Sequence, residues 1–106
     1  MHTIKRDKYK SRRGGNSKIL NIHCRNCDHI VITYQKDGPG NLRRLYLDRI
    51  ISPDSFTDLQ HTHIDNIPPL RCQNCDELIG SPYIYEKEQR PAYRVYAQKF
   101  LKRVQK

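Results

Sequence analysis

Four cysteines stand in two matched pairs, Cys24-Arg25-Asn26-Cys27 and Cys72-Gln73-Asn74-Cys75, and the 106-residue chain contains no others. A C-x-x-C turn aims two thiolates at one point, so two such turns supply the donor set of a tetrahedral metal site. Four thiolates leave no position for water or substrate. A site of that kind is structural, and its metal-binding free energy is folding free energy. The expected ion is Zn2+, held by Cys24, Cys27, Cys72 and Cys75. Four thiolates also suit an iron–sulfur centre, but nothing in the chain favours iron over zinc. The competing chemistry is a pair of disulfides, which needs an oxidising compartment. The segment Met1-His2-Thr3-Ile4-Lys5-Arg6-Asp7-Lys8 has no apolar run of signal-peptide type, and no segment approaches membrane-spanning length. A reducing, cytoplasmic location and no membrane partner are therefore expected, and zinc is preferred to disulfides.

The remaining residues of catalytic type are few. His61, His63 and Asp65 alternate with Thr62 and Ile64. Such a set suits a second metal site or a general base, but no nucleophile or oxyanion motif accompanies it, so an exposed polar loop is expected. His23 and His29 flank the first cysteine pair, where four thiolates already suffice. Arg43 and Arg49 are suited to phosphate contacts and Tyr46 to stacking on a base, and Arg43, Arg44 and Arg49 are the residues to test if binding lies on the sheet rather than the arms. On a strand, however, Tyr46 points away from Arg43 and Arg49, and a charged outer face is the simpler expectation.

Charge is the second informative feature. The net charge is +9 and is unevenly spread. Residues 1–18 carry seven Lys or Arg against one acid, and residues 87–106 carry the same ratio, so each end holds +6. Residues 19–86 carry six against nine, or −3. Two basic arms on a slightly acidic body place charge where a polyanion is gripped. Lys5, Arg6, Lys8, Lys10, Arg12 and Arg13 in the first arm, and Lys99, Lys102 and Arg103 in the second, are the candidate phosphate contacts. Residues 1–18 have too few apolar side chains to order themselves alone, and read as a disordered basic arm.

These residues need a scaffold, and the pattern supplies a mostly β one. Only 36% of residues are hydrophobic and there is no Trp, so a core this small benefits from a metal staple. Lys18 to His23 reads as a strand entering the first knuckle, and Ile30-Val31-Ile32-Thr33-Tyr34 as a strand leaving it. Asp37-Gly38-Pro39-Gly40-Asn41 is a turn, and Leu42 to Ile51 a third strand. Leu78-Ile79-Gly80 and Tyr83-Ile84-Tyr85 leave the second knuckle as strand. Tyr93, Tyr96, Phe100 and Val104 fit one face of a helix, so residues 92–106 are expected to form a basic C-terminal helix after a zinc-binding β domain at 19–91. The knuckles also repeat each other: an apolar residue, a basic one, then C-x-N-C-D and a strand. The shared Asn suits a left-handed backbone position in each turn, and the shared Asp suits local backbone hydrogen bonds.

The 44 residues between Cys27 and Cys72 exceed the single hairpin of a minimal zinc ribbon. Gly38-Pro39-Gly40, Leu45-Tyr46-Leu47, the second cysteine pair, Ile79-Gly80, and Tyr83 followed by Glu86 and Glu88 together resemble the Yippee pattern. That family shares the β-tent zinc fold with the thalidomide-binding domain of cereblon and with methionine sulfoxide reductase B, and the resemblance covers about residues 20–96. It implies a small antiparallel sheet fold pinned by zinc. It does not imply an enzyme here. The reductase chemistry needs a thiolate outside the zinc site, and the cereblon cage is built from tryptophans. The sequence therefore points to a non-enzymatic zinc module that binds nucleic acid, RNA rather than DNA, or a ribonucleoprotein. A protein–protein adaptor is the alternative, and a small metal-assisted hydrolase a remote third.

Overall fold

The structure is a computed structural model, and it describes residues 17–38 and 42–105. The six candidate phosphate-binding residues Lys5 to Arg13, and the tip of the turn at 39–41, lie outside the described residues.

Eight strands form two four-stranded antiparallel sheets. They are β1 (Ser17–Cys24), β2 (Ile30–Asp37), β3 (Arg44–Tyr46), β4 (Ile50–Ser52), β5 (Leu70–Arg71), β6 (Leu78–Tyr85), β7 (Arg90–Val95) and β8 (Phe100–Val104). The first sheet has the order β4-β2-β1-β8 and the second β3-β7-β6-β5. The mostly β expectation holds. Among the described residues, the helical turns are short and of the 3-10 type, and no helix is long and apolar enough to cross a membrane.

The core lies between the sheets. Leu20, Ile22, Ile32 and Tyr34 of the first sheet meet Leu45, Leu70, Ile79 and Tyr93 of the second in one buried cluster. Residues 53–67 have no strand; they close one side with three 3-10 turns that insert Phe56 and Ile67. The Phe56 ring meets Tyr93 edge-on at 6.3 Å, and the Tyr93 hydroxyl donates to the Pro68 carbonyl at 2.7 Å. The Pro68-Pro69 step is thereby tied to the core.

Two sequence-based elements are corrected. Leu42 to Ile51 is not one strand. A 3-10 turn at Leu47–Arg49 breaks it, so β3 joins the second sheet and β4 the first. Leu45, Tyr46, Leu47, Arg49 and Ile50 are all buried, so this crossover has no solvent face to alternate with. Residues 92–106 do not form a helix. Residues up to Val95 continue β7 against β6, and Phe100–Val104 pairs with β1, from Leu20↔Val104 to Cys24↔Phe100. The helical spacing was misleading because Tyr93 and Phe100 are buried while Tyr96 and Val104 stand 39% and 55% exposed. A helix face would have buried all four; backbone pairing to the open edge of β1 prevailed. The C-terminal segment thus belongs to the same β unit, and β1 begins at Ser17, inside the expected arm.

Far from the knuckles, the sheets are joined by charge. Asp37, at the end of β2, accepts from Arg49 Nε at 2.9 Å, from Gln35 at 2.9 Å and from Ser17 at 2.7 Å. Arg49 also meets Asp48 at 3.4 Å, and Asp48 accepts from Arg90 of β7 at 2.8 Å. Arg49 and Arg90 are buried, so this chain of ion pairs runs through the interior. Arg49 is neither an outer-face residue nor accessible to phosphate.

Candidate metal centre

Each sheet contributes one knuckle. Cys24 ends β1 and Cys27 lies in the turn to β2; Cys72 follows β5 and Cys75 lies in the turn to β6. The two turns are built alike. The Cys24 N–H donates to the His29 carbonyl at 2.8 Å, and the Cys72 N–H to the Glu77 carbonyl at 2.9 Å. Asp28 N–H closes on the Cys24 carbonyl at 2.7 Å, and Asp76 N–H on that of Cys72 at 2.8 Å. Each hairpin is bulged one step before its cysteine, between Ile22 and His23 and between Leu70 and Arg71. A bulge twists the strand and re-aims the residues beyond it. The internal repeat read from the sequence is therefore a repeat of geometry.

The left-handed residue in each turn is the aspartate, not the asparagine. Asp28 has φ 65° and Asp76 φ 64°. Asp tolerates this region because its short polar side chain is accommodated there. Asn26 has another role: its Nδ2 reaches across the site to Cys75 Sγ at 3.4 Å.

The four sulfur atoms converge. Cys24 Sγ lies 3.5 Å from Cys75 Sγ, Cys27 Sγ lies 3.6 Å from Cys72 Sγ, and all four fall within 4.8 Å of one another. A tetrahedron with metal–sulfur bonds of about 2.3 Å has sulfur–sulfur edges of about 3.8 Å, so the donor set fits a metal. It does not fit disulfides, whose sulfurs would be bonded at about 2.05 Å; all four cysteines are free thiols. Their electrostatics are uneven. Burial pushes the Cys24 thiol up to about 12 and raises Cys72, against backbone N–H donors from Asn26 and Cys27, and from Asn74 and Cys75. The hydrogen bond from Asn26, with help from the Glu77 amide, brings Cys75 down to about 7. A cation at the centre supplies the charge that two buried thiolates need.

The three C-terminal cations expected to contact phosphate are found around this centre. The Arg25 N–H donates to the Lys99 carbonyl at 3.0 Å, while Lys99 Nζ pairs with Glu77 of the other knuckle. Arg103 meets Asp28 at 3.2 Å. Residues 97–104 thus strap both knuckles, and Lys102 stands exposed on the strap. His23 and Arg71 occupy matching positions: each contacts the carbonyl of its knuckle aspartate, at 3.0 Å and 3.1 Å. Among the described residues, the metal-ligand cluster is the four cysteines. His63 caps a 3-10 turn by accepting from the Asp65 N–H at 3.2 Å, and His61 is exposed.

Fold and site together define a small two-sheet β module in which a four-cysteine cluster that could hold a metal ion joins the sheets at one end. Compared with protein-family models, curated proteins and solved structures, the chain matches none.

Proposed function

We propose that this protein is a non-enzymatic zinc-stapled module that binds nucleic acid, RNA in preference to DNA. The observation that carries this reading is how its acids are used. Asp37 and Asp48 are engaged by Arg49 and Arg90, Glu88 by Arg90, Glu77 by Lys99 and Asp28 by Arg103. Four of the nine acids of residues 19–86, and Glu88, are thus paired with cations of the same chain, so the net +9 falls on the remaining surface and the basic ends. A polyanion is the partner that such a surface attracts, and counterion release makes that attraction steeply salt-dependent.

The metal has a structural role in this reading. Four thiolates complete a tetrahedron, and zinc is the borderline-soft ion that such sites most often hold. One knuckle per sheet, meeting at a shared ion, supports assigning the fold to the β-tent type. The candidate contacts are Lys5, Arg6, Lys8, Lys10, Arg12 and Arg13, with Lys102 on the strap. Lys99 and Arg103 act first as braces of the knuckles. The test is binding of labelled RNA and DNA by the purified, metal-loaded chain over a salt series. Salt-sensitive binding supports the reading. No binding at low ionic strength overturns it and favours the adaptor.

A further inference from the structure

We propose that the outer face of the second sheet is a binding surface for single-stranded nucleic acid, with Arg44 and Arg94 taking phosphate and Tyr96 taking a base. This rests on the nucleic-acid reading above but moves its centre from the basic arms to a folded surface.

Strand alternation turns Leu45 and Tyr93 to the core and sets Arg44, Tyr46, Arg94, Ser81, Tyr83 and Tyr85 on the opposite face. Three arginines there lie on three tyrosines. Arg44 sits over the Tyr85 ring at 3.9 Å, Arg90 over Tyr46 at 3.7 Å, and Arg94 over Tyr83 at 4.7 Å. A guanidinium held over a ring by the ring's electrostatic attraction is positioned by it and can still donate N–H groups to a further partner.

The arginines differ in how they are neutralised. Arg90 is buried and holds Asp48 and Glu88, the acids near this face. Arg44 and Arg94 are direct cross-strand partners in the β3–β7 register. Like charges at facing positions repel. Neither has a carboxylate within ion-pair distance among the described residues. Arg44 instead donates to the Tyr83 hydroxyl at 3.1 Å and the Tyr46 hydroxyl at 3.4 Å. Arg94 is exposed. Two arginines at facing register positions, each held over a tyrosine and neither ion-paired to a carboxylate, are complementary to a phosphodiester. Beside them, Tyr96 is 39% exposed, and its hydroxyl is fixed to Ser81 Oγ at 2.8 Å. Ser81 is the cross-strand partner of Arg94 on β6, so ring and guanidinium are neighbours. Aromatic rings on four-stranded sheets stack unpaired bases in single-strand binders, whereas a duplex keeps its bases inside.

The test uses the full, metal-loaded chain and four probes: twelve-nucleotide oligo-U, oligo-dT of equal length, an RNA duplex, and heparin as a polyanion without bases. Tighter binding of the single strands than of the duplex is expected. Oligo-U against oligo-dT separates RNA from DNA as the source. Arg44→Gln with Arg94→Gln is expected to weaken single-strand binding about tenfold or more. It should also lower the salt slope by about 1.4, since each phosphate contact contributes about 0.7 on a single strand. Tyr96→Ala is expected to weaken oligo-U about fivefold or more and leave heparin unchanged, because stacking needs a base. Arg94→Gln alone, with metal content as the check on folding, decides the matter if the double variant does not fold. Single-strand affinity within twofold of the parent in these variants, or a duplex bound as tightly as a single strand, overturns the proposal. If arm deletion then abolishes binding, the general reading survives without this site; if the parent chain binds no probe, both fail.

Discussion

The buried ion-pair chain at the end opposite the cysteine cluster makes a sharp test of how the sheets are held together. Arg49 is 1% exposed and Asp37 is 4% exposed in its side chain, so replacing Arg49 by Met leaves a carboxylate in the interior without its cation. Removing one partner of a buried pair costs about 3–5 kcal/mol, mostly the penalty of the stranded charge. The structure places this case near the lower figure. Asp37 keeps its hydrogen bonds from Ser17 at 2.7 Å and Gln35 at 2.9 Å, and Asp48 keeps Arg90 at 2.8 Å. The expected loss is about 3 kcal/mol, a large share of a stability of about 5–15 kcal/mol. Burial raises the Asp37 carboxyl, but the hydrogen bonds from Gln35, Ser17 and Arg49 outweigh it and hold the group below its usual range. A depressed carboxyl contributes stability above its unfolded pKa and loses it as pH falls through the folded one, so the contribution is complete at pH 7. Urea unfolding of Arg49→Met followed by circular dichroism at pH 7, with metal buffered, measures the loss. Combining it with Asp37→Asn should recover about 2 kcal/mol relative to additivity, because the stranded charge is gone. A loss below about 1 kcal/mol, or strictly additive single variants, would refute the reasoning.

Elemental analysis should find one zinc per chain, and Cys72→Ser should destabilise beyond the roughly 5 kcal/mol ceiling of apolar-to-Ala changes; folded protein without metal would contradict this. Gly80→Ala should cost about 1–3 kcal/mol in thermal or urea unfolding, since a Cβ there meets the Arg94 carbonyl oxygen at 2.7 Å, and that backbone is fixed in the β6–β7 ladder. Burial raises the Tyr34 phenol above its ordinary value and pushes Tyr93 up to about 12. Their contribution is full below about pH 10 and is lost as pH rises toward 12, so stability should decline over that window and tyrosinate absorbance should lag for these two rings. Tyrosinate absorbance that shows no such lag while the fold is intact would count against it. Removing residues 1–16 should weaken nucleic-acid binding evenly across sequences and flatten its salt dependence, with the melting temperature nearly unchanged; the cut must stop before Ser17, whose hydroxyl holds Asp37.

The local chemistry was legible in the sequence because it is local. A C-x-x-C turn is specified by a few adjacent residues, so the ligand set, the repeat of the two knuckles and the strands that flank them followed from spacing and β-branched runs. The positive φ of Gly38 at the end of β2 was readable for the same reason. Even here the left-handed position fell to the Asp rather than the Asn, because both residues tolerate left-handed backbone and only the chain direction after Cys27 and Cys75 selects the aspartate. What the tertiary structure alone decided involves partners distant in sequence. Leu42 to Ile51 mixes six apolar or aromatic residues with four charged ones, and only the need to serve two sheets broke it at Leu47–Arg49. The spacing of Tyr93, Tyr96, Phe100 and Val104 suits helix or strand, and the open edge of β1, some 80 residues earlier, made it strand. Arg49 and Arg44 are the same residue type a few positions apart, yet one is neutralised by Asp37 in the interior and the other lies on a tyrosine at the surface. Composition records a charge; only the fold determines whether an acid is near enough to cancel it.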